Sequence, residues 1–150
     1  LVLHPELLVA DEPVSMLDVS VRAGILGILD SLRNDGLGIL MITHDLSTAA
    51  RYADRIAVMY LGRIVEEAPT ERLFRGPRHP YTRALLQSVL TPEPGLGVPD
   101  THLGAAYPNP IDPPPGCTFH PRCPQALAQC SQRAPTPRHD DAGQVECHLY

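Results

Sequence analysis

The sequence predicts an α/β fold, and three features of its first half predict it. Two short apolar runs, residues 7–10 and the start of "GILMITHD" at residues 38–45, lack the polar alternation of a half-exposed strand. Such runs are typical of strands covered on both faces. Between them, apolar residues recur three and four positions apart, as on one face of a helix: Val21, Ile25, Ile28, Leu29 and Leu32. Strand, helix and strand form a βαβ unit, so a parallel sheet with flanking helices is expected.

The remaining elements follow from local signals. The first helix is predicted from Ser20 to about residues 34–36, where "NDG" is typical of a helix end. A short helix is expected over residues 47–53. The segment "RIAVMYLGRIVEEA" predicts two strands that turn at Leu61 and Gly62. Residues 70–90 predict two small helices, with Pro80 in the first turn of the second.

Composition limits the classes of partner. The 150 residues carry 12 Lys plus Arg against 17 Asp plus Glu, a formal charge of -5. This balance argues against nucleic acid, which binds basic faces. No apolar run approaches the ~20 residues of a membrane helix, and nothing resembles a signal peptide. The first residue is Leu1 rather than methionine, which indicates a chain that lacks its start, with processing as the alternative.

Composition also changes along the chain. All four cysteines follow residue 116, and prolines crowd the stretch before them. Dense proline prevents regular structure and predicts an extended connector. We therefore expect a partial α/β core over 1–68, a helical extension over 69–90, a linker over 91–116 and a cysteine-bearing tail over 117–150.

Polar side chains follow the two predicted parallel strands. Asp11 and Glu12 end the first strand, and His44 follows the second. Ligands of open α/β sheets bind beyond the carboxyl ends of the strands. An Asp there can hold Mg²⁺, and a Glu can deprotonate a water that attacks phosphorus. Taken alone, each motif is better explained structurally, with Asp11 and Glu12 as a solvated strand end and His44 as a helix cap.

The order of these motifs resembles the second half of the ATP-binding subunit of ABC transporters. "LLVADEP" is similar to the Walker B strand, "SMLD" at residues 15–18 to the D-loop, and "ITHD" to the switch region. The resemblance implies ATP and Mg²⁺ as ligands of a P-loop ABC ATPase domain. It assigns Mg²⁺ to Asp11, catalysis to Glu12 and His44, and a dimer interface to Asp18.

Two further runs narrow the resemblance to importers of oligopeptides, dipeptides or nickel. These are "HPYTRALL" at residues 79–86 and "PIDPPPGC" at residues 110–117. The implied partners are a second ATPase subunit, membrane permease subunits and, indirectly, an extracytoplasmic peptide-binding protein. The implied location is the cytoplasmic face of the cell membrane. Cargo choice rests with the other subunits.

The phosphate-gripping loop G-x-x-x-x-G-K-[ST] has no match in the sequence, and neither does the ABC signature. We therefore expect a C-terminal piece of a longer subunit that does not hydrolyse ATP unaided. The alternative is a short protein that acts alone as a metal-binding or regulatory interaction module, with a degenerate ATPase half.

The four cysteines are spaced C-x5-C-x6-C-x16-C. Thiolates gathered in a short segment suit an iron–sulfur cluster or zinc. Two disulfides are disfavoured by the cytosolic character of the upstream half, and four free thiols stay open. The family resemblance implies a [4Fe–4S] cluster held by Cys117, Cys123, Cys130 and Cys147. His120 and His148 are alternative zinc ligands.

Overall fold

The computed structural model describes residues 4–88, 103, 108–141 and 143–150. The chain divides into two units, Leu1–Tyr52 and Ala53–Tyr150. Most of the predicted linker, residues 91–116, lies outside the described residues.

The first unit follows the predicted order of strand, helix and strand. It contains β1 (Leu7–Asp11), α1 (Val19–Asn34), β2 (Gly38–Ile42) and α2 (Leu46–Tyr52). β1 and β2 pair in parallel, from Leu7 opposite Gly38 to Asp11 opposite Ile42. Both strands therefore end at the same edge, as the crossover through α1 requires.

The prediction that both faces of β1 and β2 are buried is wrong for this chain. Exposed and partly covered residues alternate along each strand. Four apolar side chains on the exposed face are each about half accessible to solvent: Leu7, Val9, Leu40 and Ile42. α1 packs against β2, and no second layer covers the opposite face within the described part of this unit.

The second unit is built on a four-stranded sheet in the order β3-β4-β6-β5. Its strands are β3 (Arg55–Tyr60), β4 (Arg63–Pro69), β5 (Arg138–Asp140) and β6 (Gly143–Val145). Every pairing is antiparallel, so the expectation of a parallel sheet is wrong here.

A two-residue turn explains the antiparallel direction. Leu61 and Gly62, the predicted turn, both have positive φ, 45° and 76°. This backbone matches the twist of a tight hairpin and reverses the chain at once. The second pair of strands comes from the cysteine-bearing tail, and β6 joins β4 through Glu66 and Glu67.

Four short helices complete the described part of the second unit. α3 (Thr70–Arg75) and α4 (Pro80–Ser88) are the two predicted small helices. Two 3-10 helices, His120–Arg122 and Ala128–Ser131, lie in the tail. The core comprises side chains from the sheet, α3 and the tail: Val58, Tyr60, Val65, Leu73, Phe119 and Val145.

Among the described residues, no helix is long and apolar enough to cross a membrane.

Candidate functional site

The carboxyl edge of the parallel pair brings Glu12 and His44 together. Glu12 follows the end of β1, and its backbone N–H donates to Ile42 O at 2.9 Å, which continues the ladder by one residue. The φ of Glu12 is 47°, so the chain turns sharply after the strand. His44 Nδ1 lies 2.7 Å from Glu12 Oε1. The sequence assigned both residues to one site, and their side chains touch.

The hydrogen bond fixes the tautomer of His44 because a carboxylate can only accept. Nδ1 therefore carries a hydrogen, and Nε2 is the nitrogen that faces other partners. The bond to Glu12 and the charge of that carboxylate raise the pKa of His44 above its usual 6.5. The side chain of His44 is 76% exposed, so its second nitrogen is accessible to a ligand.

Asp11 is the last residue of β1 and is exposed. Within the described part of the chain, its carboxylate makes no hydrogen bond or ion pair. Its oxygens are therefore available to a hard cation such as Mg²⁺, which prefers carboxylate and water ligands. The two adjacent carboxylates therefore differ in their contacts. That of Glu12 is hydrogen-bonded to His44, and that of Asp11 has no partner among the described residues.

Asp18 caps the N-terminus of α1. Its Oδ1 accepts the backbone N–H of Val21 at 2.9 Å, the usual arrangement of a helix cap. The predicted dimer-interface role rests on the family resemblance, whereas this contact is local. In the loop between Glu12 and Asp18, Ser15 Oγ donates to Glu12 O at 3.2 Å, and Met16 is 95% exposed.

Sequence reasoning missed Asp45, which holds the chain beside His44. Its carboxylate accepts the N–H groups of Ser47 and Thr48 and the hydroxyl of Thr48 at 2.7 Å. The bond to the Thr48 hydroxyl is the main reason that the pKa of Asp45 is lowered. The run "DLST" is the available signal, because Asp followed by Ser and Thr is typical of a helix start.

The predicted cysteine ligands are free thiols in the second unit. Burial raises the pKa of Cys117 and Cys123, and it raises that of Cys147 to about 11. Backbone N–H groups near each of these sulfurs act in the opposite direction. The sulfur of Cys130 accepts the N–H of Leu127 at 3.4 Å.

A metal site does not follow from this geometry. Across the residues that the structure describes, no three His, Cys, Asp or Glu side chains are grouped so that they could hold a metal ion. The alternative zinc ligands bond to backbone oxygens: His120 Nδ1 to Cys117 O, and His148 Nε2 to Arg133 O.

The run "HPYTR" fixes the start of α4. His79 is 1% exposed, and its Nδ1 accepts the backbone N–H of Tyr81 at 3.1 Å. The carboxylate of Glu66, also 1% exposed, accepts the N–H groups of Arg78 and His79 at 2.7 and 2.9 Å. Sequence reasoning missed Glu66, and an acidic residue within an apolar strand was its only signal.

The same run contacts the tail. The ring of Tyr81 packs against Tyr60 and Phe119, with centroids 4.7 and 5.5 Å away. Arg83 Nη2 donates to the hydroxyl of Tyr150 at 2.9 Å. Arg78, which directly precedes the run, places its Nη1 2.7 Å from Asp140 of β5. The residues that marked the importer branch therefore join the hairpin, α4 and the cysteine-bearing tail.

Comparisons with known proteins agree with the predicted resemblance. Residues 65–130 match the family described as "Oligopeptide/dipeptide transporter, C-terminal region". The chain is 45% identical over 152 residues to the putative oligopeptide transport ATP-binding protein YkfD of Bacillus subtilis, covering 99% of this chain and 46% of the relative. It is 44% identical over 149 residues to the dipeptide transport ATP-binding protein DppF of Haemophilus influenzae, covering 98% and 46%.

A third relative is the probable peptide ABC transporter ATP-binding protein y4tS of Sinorhizobium fredii, 45% identical over 152 residues, or 99% of this chain and 43% of the relative. The chain spans less than half the length of these relatives. The resemblance predicted from the sequence is confirmed over nearly the whole chain.

Proposed function

We propose that this chain, which carries the oligopeptide/dipeptide transporter C-terminal region, is the C-terminal part of the ATP-binding subunit of an ABC importer of oligopeptides or dipeptides. The observation that carries the proposal is the pair of Glu12 and His44, 2.7 Å apart at the edge where two parallel strands end. ATP is the proposed substrate, and hydrolysis of its terminal phosphate is the proposed reaction.

The two side chains suit different steps of water attack on phosphorus. Glu12 is the general base that takes a proton from the attacking water, an effect typically worth ~10²–10⁴ in rate. His44 presents Nε2 to an oxygen of the terminal phosphate. The hydrogen bond to Glu12 raises the pKa of His44, and so favours the protonated ring, which donates a hydrogen bond to that anion.

Asp11 is the residue proposed to hold Mg²⁺, because its carboxylate is exposed and makes no contact among the described residues. The ion neutralises charge on the phosphates when it is bound. The phosphate-binding loop motif has no match in this chain, and the proposed reaction is that of the longer subunit.

The proposed partners are a second ATPase subunit and membrane permease subunits, with a peptide-binding protein acting indirectly. The loop between Glu12 and Asp18 is the proposed contact with the second ATPase subunit, because Met16 at its tip is 95% exposed. This assembly would hold the subunit at the cytoplasmic face of the membrane.

The test uses the longer subunit that contains this chain. We expect Glu12→Gln to lower kcat by about 10²–10⁴ and to leave ATP affinity unchanged, because the base is lost and the binding groups remain. Glu71→Gln is the matched control, since Glu71 is exposed and pairs with Arg75 across one turn of α3. Turnover that survives Glu12→Gln at the control level rejects the assignment of the base.

We also propose that the four cysteines bind a [4Fe–4S] cluster, with zinc as the alternative. The supporting observation is that two of the cysteines lie on segments in contact, since the backbone N–H of Cys117 donates to Cys130 O at 2.7 Å. Cluster binding requires deprotonation of all four and a closer arrangement of the sulfurs. The cluster would supply a covalent link between segments of a loop-rich tail.

Metal analysis separates these outcomes. Native subunit, purified without oxygen, is assayed for iron, sulfide and zinc beside Cys123→Ser and His120→Asn variants. Iron with equal sulfide that is lost in Cys123→Ser supports the cluster. Zinc without sulfide supports the alternative, and a metal-free tail rejects both.

A further inference from the structure

A cleft of about 420 Å³ lies in the tail of the second unit, away from Glu12 and His44 in the sequence. Its walls come from the end of the second 3-10 helix, the segment that leads into β5, and the residues that follow β6. They include Arg133, Pro135, Thr136, Arg138 and His148. A volume in this range is typical of sites for small molecules.

The lining of this cleft is basic although the chain is acidic. Two arginines and a histidine line it, and none of the lining residues is Asp or Glu. The guanidinium groups of Arg133 and Arg138 make no ion pair or hydrogen bond with any residue that the structure describes. In a chain with a formal charge of -5, these two guanidinium groups concentrate positive charge at one cleft.

Both arginines stand on backbone that is held in place. The N–H of Arg133 donates to Gln129 O at 3.0 Å, and its carbonyl accepts from His148 Nε2 at 2.8 Å. Arg138 begins β5 and pairs with Val145 of β6. The segment between the two arginines contains Pro135, which is buried, and a second proline, so few backbone rotations are free. The cleft therefore requires little ordering before it binds a ligand.

A second cleft in the same unit provides a contrast. It measures about 330 Å³ and is lined by Arg72, Arg75 and Glu71 of α3. There the carboxylate of Glu71 lies 2.6 Å from Arg75 and offsets its charge. The lining of the tail cleft has no Asp or Glu side chain that could offset its two arginines in this way.

We propose that the tail cleft binds a small phosphate-bearing ligand between Arg133 and Arg138. A guanidinium group presents a planar fork of N–H donors that matches phosphate oxygens and retains its charge at any physiological pH. The hydroxyl of Thr136 is a further donor of the lining. The volume leaves room beyond the phosphate group for the rest of a small phosphomonoester. The site is independent of the ATP site proposed above.

Binding can be measured by NMR titration of the full chain. Inorganic phosphate is one probe and phenyl phosphate is the other, both at constant ionic strength set with sodium chloride. We expect saturable shifts of the Arg133 and Arg138 side-chain Nε–H resonances. Arg133→Gln and Arg138→Gln should each weaken phosphate binding by about tenfold, since each removes one charge-assisted contact. Arg133→Lys retains the charge but not the planar set of N–H donors, and it should lose less phosphate affinity than Arg133→Gln.

The matched control is Arg72→Gln, which removes the same charge from an exposed position of the same unit. We expect unchanged affinity in this variant. Equal weakening by Arg72→Gln, or equal shifts with chloride alone, would show diffuse charge screening and overturn the proposal. Absence of saturation with both probes also overturns it. Tighter binding of phenyl phosphate identifies a phosphomonoester as the ligand, and equal binding identifies free phosphate.

Discussion

The two sheets of this chain differ in how completely they bury their strands. In the first unit, no residue of β1 or β2 is fully buried, and apolar side chains such as Val9 and Leu40 are 57% and 54% exposed. In the second unit, β3 alternates strictly between exposed and buried residues, and Val58 and Val145 are 5% and 0% exposed. The strands of the two units have similar apolar content, but neighbouring elements bury them to different extents.

The difference shows what the sequence of a strand can predict. Apolar residues indicate that both faces of the strand favour burial, but they do not show whether other elements of the chain bury them. Burial of an apolar side chain contributes about 1.5–3 kcal/mol, and that energy is gained only where a second layer is present. The tail and α3 supply this layer for the hairpin of the second unit. For β1 and β2, the described residues supply a second layer on one face alone. We therefore expect substitutions in the second unit to cost more than matched ones in the first.

Gly143 provides the largest expected effect. Its φ is 118°, and a Cβ at this position would overlap the carbonyl oxygen of Glu67. The Gly143→Ala variant cannot retain the β6–β4 pairing without backbone movement. We expect the free energy of unfolding of the second unit to fall by about 3 kcal/mol or more. Urea denaturation followed by hydrogen exchange of unit-specific peptides measures it.

The matched control is Gly62→Ala in the hairpin turn of the same sheet. Gly62 also has positive φ, 76°, but no atom lies within 4 Å of the position that a Cβ would take there. This variant carries the backbone strain alone, about 1 kcal/mol. Equal losses in the two variants would contradict the claim that the close approach of β6 to β4 determines the cost at Gly143.

His79 predicts a pH dependence confined to the second unit. Burial, and then the charge of Arg83, lower the pKa of His79 from 6.5 to about 4. Between pH 6.5 and about 4, His79 is therefore protonated in the unfolded chain and neutral in the folded chain. The stability of the folded state is undiminished above pH 6.5 and is lost as the pH falls from 6.5 to about 4, by about 3 kcal/mol in total.

Urea midpoints measured between pH 7.5 and 4.5 test this prediction. His79→Asn should remove most of the slope, because asparagine does not titrate and its side-chain oxygen can still accept the N–H of Tyr81. His139→Asn is the matched control, since His139 is exposed in β5. If the pH dependence of the urea midpoint persisted in His79→Asn and disappeared in His139→Asn, it would arise from His139, and the prediction for His79 would be wrong.

The sequence predicted the local elements well because their signals are local. α1, the turn at Leu61 and Gly62, and the two helices after residue 69 follow from periodicity, turn chemistry and capping. The contact between Glu12 and His44 was also predictable, because parallel neighbouring strands end at one edge. The family resemblance supplied the roles of these residues.

Long-range pairing is what the sequence did not provide. β5 and β6 are three residues each, too short for a periodic pattern, and β6 pairs with residues almost 80 positions earlier. Glu66 and His79 were missed as buried polar residues because their partners are backbone N–H groups, which sequence letters do not reveal. The unpaired state of Arg133 and Arg138 likewise depends on which carboxylates lie elsewhere among the described residues.

The smallest expected effect is at Val9 and tests the comparison from the exposed side. Val9→Thr replaces a methyl group with a hydroxyl at equal volume on a side chain that is 57% exposed, so the hydroxyl can bond to water. We expect a loss of at most about 0.5 kcal/mol. The matched change Val58→Thr places the hydroxyl at a position that is 5% exposed, and should cost about 1–3 kcal/mol. Hydrogen exchange of peptides from each strand reports both values in the same chain. A loss at Val9 as large as that at Val58 would mean that the exposed face of β1 is covered in solution, and the contrast between the two sheets would then be wrong.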